Sequence, residues 1–226
     1  DAGDYVILNG AKMWISNAPF ADIAVVWAKD ETGRIHGLVV ERGMEGFSTP
    51  EMHGKLSLRA SATGELIFDN VKVPKSHILP GRSGLGAPLS CLDSARFGIA
   101  WGALGAAMDC YDSARRYSIE RIQFDKPIGS FQAVKHQLAD IVTKIEFAKP
   151  VLYRAANALS QSEAQRSVRI SHAKIACADA GWFAARKAIQ VHGAMGYTWE
   201  VDLQMFMKRA WVLDAAWGDR AFHKQR

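Results

Sequence analysis

The sequence predicts an α+β chain: a small antiparallel β-barrel or sandwich over residues 1–74, a linker over 75–88, and an antiparallel four-helix bundle over 89–226. Three observations carry that reading. Apolar residues alternate along strand-like runs between Tyr5 and Val73, and from about residue 88 they recur every three or four positions. Pro and Gly gather between the two stretches.

In the first region, Tyr5-Val6-Ile7-Leu8 and Lys12-Met13-Trp14-Ile15 flank Asn9-Gly10, a hairpin signal because both turn residues tolerate positive φ. A second hairpin is expected where residues 22–29 and 34–41 flank Asp30-Glu31-Thr32-Gly33. Leu66, Phe68, Val71 and Val73 alternate along a further strand that stops at Pro74, which cannot donate to a ladder.

In the second region, Phe131, Val134, Leu138, Ile141, Ile145 and Ala148 form one apolar stripe, and Ser130 is the expected N-cap of that helix. Pro150 predicts a kink or break, since it removes a donor and crowds the preceding turn. The Gly- and Ala-rich run from Phe97 to Ala107 favours close approach of another backbone. A third helix is expected over about Glu163 to Gln190, Ala-rich and carrying Trp182 and Phe183.

Bulk properties exclude several classes. With 226 residues, 49% hydrophobic and 23% charged, the composition is that of a folded globular chain. The net charge of +5 is dispersed and forms no basic run, which argues against nucleic acid and suits an anionic cofactor and substrate. Cys91, Cys110 and Cys177 form no CxxC pair, which points to a reducing compartment, cytoplasm or mitochondrial matrix. No pair of histidines has metal-ligand spacing, so no metal is expected. No apolar run approaches the roughly 20 residues of a membrane span. The opening at Asp1, without Met and just ahead of strand-like sequence, reads as entry into the middle of a domain.

Four short motifs carry the chemistry: Trp14-Ile15-Ser16-Asn17, Leu58-Arg59-Ala60-Ser61-Ala62-Thr63, Arg121-Ile122-Gln123-Phe124 and Gln190-Val191-His192-Gly193. A flat indole stacks on an aromatic cofactor, and a nearby hydroxyl hydrogen-bonds its polar edge. An arginine binds two phosphate oxygens at once, and a glycine lets backbone approach a ligand closely. Each alone has a plainer reading: Trp14 as a strand core residue, Gly193 as a helix C-cap, Asp93 and Arg96 as a surface pair at i,i+3.

In that order the motifs resemble the acyl-CoA dehydrogenase family, flavoproteins that oxidise the α,β bond of an acyl thioester. The resemblance implies FAD as cofactor, with Trp14 and Ser16 facing the flavin, Arg121, Gln123 and Phe124 reaching the FAD of a neighbouring subunit, and Gln190 and Gly193 meeting its phosphates or adenosine. It implies Asp93 and Arg96 near the acyl-CoA thioester, a homotetramer, and an electron-transfer flavoprotein as oxidant. Residues 5–125 resemble glutaryl-CoA dehydrogenase most, whereas the C-terminal third resembles a bacterial branch. It further implies that the family's N-terminal helical domain lies outside this chain.

The same resemblance exposes a gap. Most of the family places its proton-abstracting glutamate in a Tyr-Glu-Gly-Thr stretch, and here that stretch reads Ala216-Trp217-Gly218-Asp219, with Trp217 in the glutamate position. On the first helix, where other branches carry the base, stands Ala95. Asp219 and Asp214, and less so Glu200, are the nearby carboxylates expected to substitute, unless the family's N-terminal part supplies the base. The alternatives are a non-catalytic FAD-binding subunit of a hetero-oligomer, or a flavin monooxygenase of the same fold.

Overall fold

A computed structural model of the chain describes residues 3–162 and 164–226, without the Arg82 side chain, and divides into two compact units, Asp1–Cys91 and Leu92–Arg226. The chain opening at Asp1 and the expected helix start at Glu163 lie outside the described residues.

The first unit is built from β1 (Tyr5–Ser16), β2 (Ile23–Lys29), β3 (Ile35–Glu41), β4 (Phe47–Ser48), β5 (Thr63–Pro74) and β6 (Ile78–Ser83). They form two antiparallel sheets, ordered β1-β5-β4 and β2-β3-β6. One core draws on both: Leu8, Leu66, Phe68, Val71 and Val73 from the first sheet, Val26, Leu38 and Val40 from the second. The arrangement is a sandwich and not a closed barrel.

The Asn9-Gly10 hairpin does not form: β1 runs straight through these residues and pairs along its length with β5. The ladder passes from Leu8↔Val71 to Gly10↔Phe68, so the extra residue lies on β5. Asn9 stabilises that bulge: its Oδ1 accepts from the Asn70 amide N at 2.7 Å, and its Nδ2 donates to Asn70 Oδ1 at 3.1 Å. Asn70 takes the positive φ, +52°, and Gly10 sits at φ +134°. The long partner strand won over the local turn signal.

The second hairpin forms as read, β2 against β3 in unbroken register. Asp30 Oδ1 accepts from the Thr32 and Arg34 amides, and Gly33 supplies φ +80°. Where the sequence suggests a linker over 75–88, the chain makes a short 3₁₀ turn, Lys75–His77, and then β6 on the open edge of β3.

The second unit contains α1 (Gly86–Glu120) from Leu92 onward, the two-residue strands β7 (Ile122–Gln123) and β8 (Lys126–Pro127), α2 (Gln132–Ser160), α3 (Arg166–His192), α4 (Leu203–Ala215) and α5 (Arg220–Gln225). Small residues set its core. Ala100, Ala103, Ala107 and Ala114 of α1 pack with Ala173, Cys177, Ala180, Ala184 and Ala188 of α3, and Ile141, Ile145 and Leu152 of α2 complete the cluster. A Cβ on Gly181 of α3 would stand 3.0 Å from the Ala103 carbonyl oxygen, so the close approach of α1 to α3 requires glycine there.

The expected cap of α2 is corrected, and so is the break expected at Pro150. Its N-cap is Phe131, and the Ser130 hydroxyl donates to the Pro127 carbonyl inside the preceding 3₁₀ turn. Pro150 does not break the helix, which continues to Ser160. The buried Ala148, Leu152 and Ala155 hold it on both sides of the one missing hydrogen bond, so packing outweighs the local penalty.

Candidate functional site

Trp14 sits in a β-bulge. The ladder passes from Lys12↔Leu66 to Ile15↔Gly64, so Met13 and Trp14 share one opposing residue, Glu65. The backbone of Trp14 takes φ +64°, a conformation that costs a tryptophan energy, and its side chain is 64% exposed. Two residues on, Ser16 lines a cavity of about 360 Å³ with Lys12, Val26, Trp27 and Phe47. The next loop, 58–63, is organised by Lys55, whose ammonium donates to the carbonyls of Leu58 and Ser61 and to Thr63 Oγ1. That role is structural, the better of the two readings that the polar residues of this stretch allow, orienting a loop near a ligand or holding a turn.

In the second unit, the stretch Arg121-Ile122-Gln123-Phe124 forms the β7–β8 hairpin. Phe124 and Asp125 take φ +54° and +61°, the pair a tight hairpin turn needs, which is how Asp125 serves where glycine is usual. Phe124 is 85% exposed and meets Phe131 edge-on at 6.0 Å. Tyr117, one turn before Arg121, stacks on His192 at 4.2 Å between ring centroids, so the end of α1 meets the end of α3. There Gly193 takes φ +60°, with no atom near where a Cβ would lie, while Gly196 packs directly on Ile189. Arg121, Gln123 and Gln190 are all exposed.

Asp93 and Arg96 are not a surface pair. They are 8% and 5% exposed and joined at 2.9 Å. Asp93 also takes Arg226, at 2.8 Å, and the Ser167 hydroxyl. Burial pushes the Asp93 carboxyl upward, and hydrogen bonds from Arg226, Ser167 and Arg96 outweigh it, leaving the group below the usual carboxylate range. Arg96 turns its Nε to the Trp217 carbonyl oxygen at 2.8 Å and stands over the Phe222 ring. The geometry commits both residues to internal partners.

The turn between α4 and α5 carries Trp217 at φ +56° and Gly218 at φ +102°. Asp219 is the N-cap of α5, its Oδ1 accepting from the Phe222 amide at 2.8 Å. Asp214 lies 3.8 Å from Arg220, which also pairs with Asp179 at 3.1 Å. Both carboxylates proposed as substitute bases therefore have structural partners, and the indole of Trp217 accepts no proton.

Behind the turn lie two residues that sequence reasoning missed. Lys174 and His223 are 1% and 3% exposed. The Lys174 ammonium donates to the carbonyls of Asp214 at 2.7 Å and Gly218 at 2.8 Å. His223 Nδ1 pairs with Ser171 Oγ at 3.0 Å, and its Nε2 is buried without a hydrogen-bond partner. Burial, with Lys174 and Arg96 nearby, keeps the His223 pKa below its ordinary value, so the ring is neutral at pH 7. The available signal was a lysine in the middle of an alanine stripe on α3.

Among the described residues no group of His, Cys, Asp and Glu can hold a metal ion, and no helix is long and apolar enough to cross a membrane.

A two-sheet sandwich with an exposed, strained tryptophan, joined in sequence to an Ala-rich helical bundle, defines an α+β protein. Residues 1–71 match the family description "Acyl-CoA dehydrogenase, middle domain" and residues 82–225 match "Acyl-CoA dehydrogenase, C-terminal domain". The chain belongs to the acyl-CoA dehydrogenase family. Glutaryl-CoA dehydrogenase of Desulfococcus multivorans is 39% identical over 217 residues, which cover 93% of this chain and 55% of that protein. The caffeyl-CoA reductase-Etf complex subunit CarC of Acetobacterium woodii is 35% identical over 209 residues, 90% of this chain and 55% of that protein. The crystal structure of a glutaryl-CoA dehydrogenase from Mycobacterium smegmatis in complex with FADH2 superposes with a TM-score of 0.94 at 37% identity, covering 99% of this chain and 57% of that one. The chain thus spans little more than half the length of these relatives.

Proposed function

We propose that this chain is part of an enzyme that oxidises the α,β bond of an acyl-CoA thioester with FAD. The observation that carries the reading is Trp14, held at φ +64° with its indole exposed on β1, in a chain whose two regions both match this family. Bound FAD supplies the hydride acceptor. Trp14 offers a flat apolar face to the flavin and Ser16 a hydroxyl to its polar edge. Arg121, Gln123 and Gln190 offer a permanent charge and amide donors to the phosphates and adenosine, with Phe124 and Gly193 alongside. Arg96 and Asp93 act through the turn at Trp217 and not by direct contact with substrate.

Glutaryl-CoA is the first substrate to test, because two of the relatives described act under that name. An electron-transfer flavoprotein is the proposed oxidant, in line with the Etf complex to which CarC belongs. A homotetramer follows if the exposed β7–β8 hairpin serves a neighbour's FAD, and cytoplasm or mitochondrial matrix is the proposed compartment.

Trp217, together with the engaged Asp214 and Asp219, favours a second reading: an FAD-binding subunit that needs a partner for proton abstraction, or a flavin monooxygenase of the same fold. Anaerobic mixing of the intact, FAD-bound protein with a panel of acyl-CoAs that includes glutaryl-CoA separates the two. Bleaching of the flavin supports dehydrogenation. Absence of bleaching with every thioester, flavin remaining bound, rejects it.

A further inference from the structure

We propose that Lys174 is a positioning residue that fixes the turn at residues 214–219, and through it the indole of Trp217. The side chain reaches from the alanine stripe of α3 to two backbone carbonyls, Asp214 O and Gly218 O, at 2.7 and 2.8 Å. These lie on either side of Trp217, one at the end of α4 and the other just ahead of α5. A buried ammonium is costly unless its donors are satisfied. Here its acceptors include a carbonyl of the last turn of α4, where a helix presents partial negative charge.

The turn needs such a hold. A non-glycine residue in the left-handed region persists only when its surroundings over-determine it, and Trp217 is at φ +56°. From below, Phe222 Cδ1 and His223 Nε2 would lie 2.4 and 3.1 Å from a Cβ on Gly218, so α5 closes the turn on its other face. Asp214, Asp219, Arg96, Arg220 and His223 are the charged or titratable groups around the ammonium, and burial draws its pKa below the ordinary lysine value. The indole itself remains 41% exposed, anchored at its backbone and open at its ring.

The purpose served rests on the acyl-thioester reading: by the family resemblance this turn occupies the place of the proton-abstracting stretch. The hold on the turn does not rest on it.

The test uses the intact FAD-bound protein and the variants Lys174→Met, which keeps length and loses every donor, and Lys174→Gln, which keeps a shorter donor. Amide hydrogen exchange over residues 213–223 is expected to rise about tenfold in Lys174→Met and less in Lys174→Gln, with α2 unchanged. With glutaryl-CoA or whichever thioester bleaches the wild type, kcat per bound flavin is expected to fall about ten- to a hundredfold while KM stays within about threefold. Unchanged exchange over 213–223 overturns the hold on the turn, and local loosening with unchanged kcat overturns its positioning role in turnover. Exchange rising throughout the bundle in both variants also overturns it, because Lys174 is then a determinant of the fold. A wild type that bleaches with no thioester rejects the proposed activity, and the exchange result alone then decides the hold on the turn.

Discussion

The Arg96 guanidinium meets the Asp93 carboxylate at 2.9 Å, one turn back on the same helix, and donates its Nε to the carbonyl oxygen of Trp217, 121 residues away in sequence. One buried pair thus ties the start of the bundle to the turn before its last helix. Asp93 carries a second arginine, Arg226, so removing the carboxylate leaves two positive charges without their partner. Asp93→Ala is expected to destabilise the protein by about 3–5 kcal/mol, the usual cost of breaking a buried pair. Urea denaturation followed by circular dichroism measures it, and a loss below about 1 kcal/mol contradicts the network.

The pH dependence of stability follows from the depressed groups. Asp93 and Asp179 are both held below the ordinary carboxylate value. In each, burial pushes the pKa up; Lys144 and Arg220 outweigh it for Asp179, as Arg226, Ser167 and Arg96 do for Asp93. For a depressed group the unfolded chain binds more protons, so its stabilisation is complete above the unfolded pKa, about 4, and fades as pH falls toward the folded one. His223, depressed by burial and by Lys174 and Arg96, follows the same sign from an unfolded value of about 6.5. The melting temperature is therefore expected to decline as pH falls below about 6.5, and to fall again below about pH 4. His223→Asn should flatten the first decline, and Asp93→Asn should make the second shallower.

The division into sheet and helix was legible because each period runs through many residues, as along Phe131, Val134, Leu138, Ile141 and Ile145. What failed were local signals opposed by long-range pairing. Asn9-Gly10 reads as a hairpin turn, but β5 offers β1 a partner along its whole length, and the turn residues became the partner of a bulge. At the candidate site, Trp14 and the Arg121–Phe124 hairpin were visible as wording. The buried engagement of Asp93 and Arg96, and the reach of Lys174 across to α4, depend on contacts between segments 40 to 133 residues apart, which no local pattern encodes.

Pro150 lies inside α2 with its ring exposed and withholds a donor from the carbonyl of Glu146. Because buried neighbours hold the helix continuous through this point, the packing carries the cost of proline. Pro150→Ala is expected to stabilise the protein by about 1–3 kcal/mol, below or at the full helix-interior penalty of proline. In thermal denaturation this appears as a melting temperature higher by several degrees. A lower melting temperature indicates that proline's restriction of the unfolded chain dominates.

Trp14 sets stability against function at a single residue. Its φ of +64° disfavours any β-carbon side chain except a short polar one such as asparagine, which bonds locally and tolerates the left-handed region. Trp14→Asn should therefore stabilise the sandwich by about 1 kcal/mol in the flavin-free protein. The same change removes the exposed indole, whose stacking is worth about 0.5–1.5 kcal/mol beyond burial, so flavin affinity should fall roughly tenfold. Denaturation of the apoprotein and titration by quenching of free flavin fluorescence read the two effects separately. Gained stability with unchanged flavin affinity removes Trp14 from the cofactor site. Lost stability means that the indole packs on the protein more than its 64% exposure indicates. Only the paired outcome, a more stable apoprotein that binds flavin less tightly, fits a strained residue retained for its ligand.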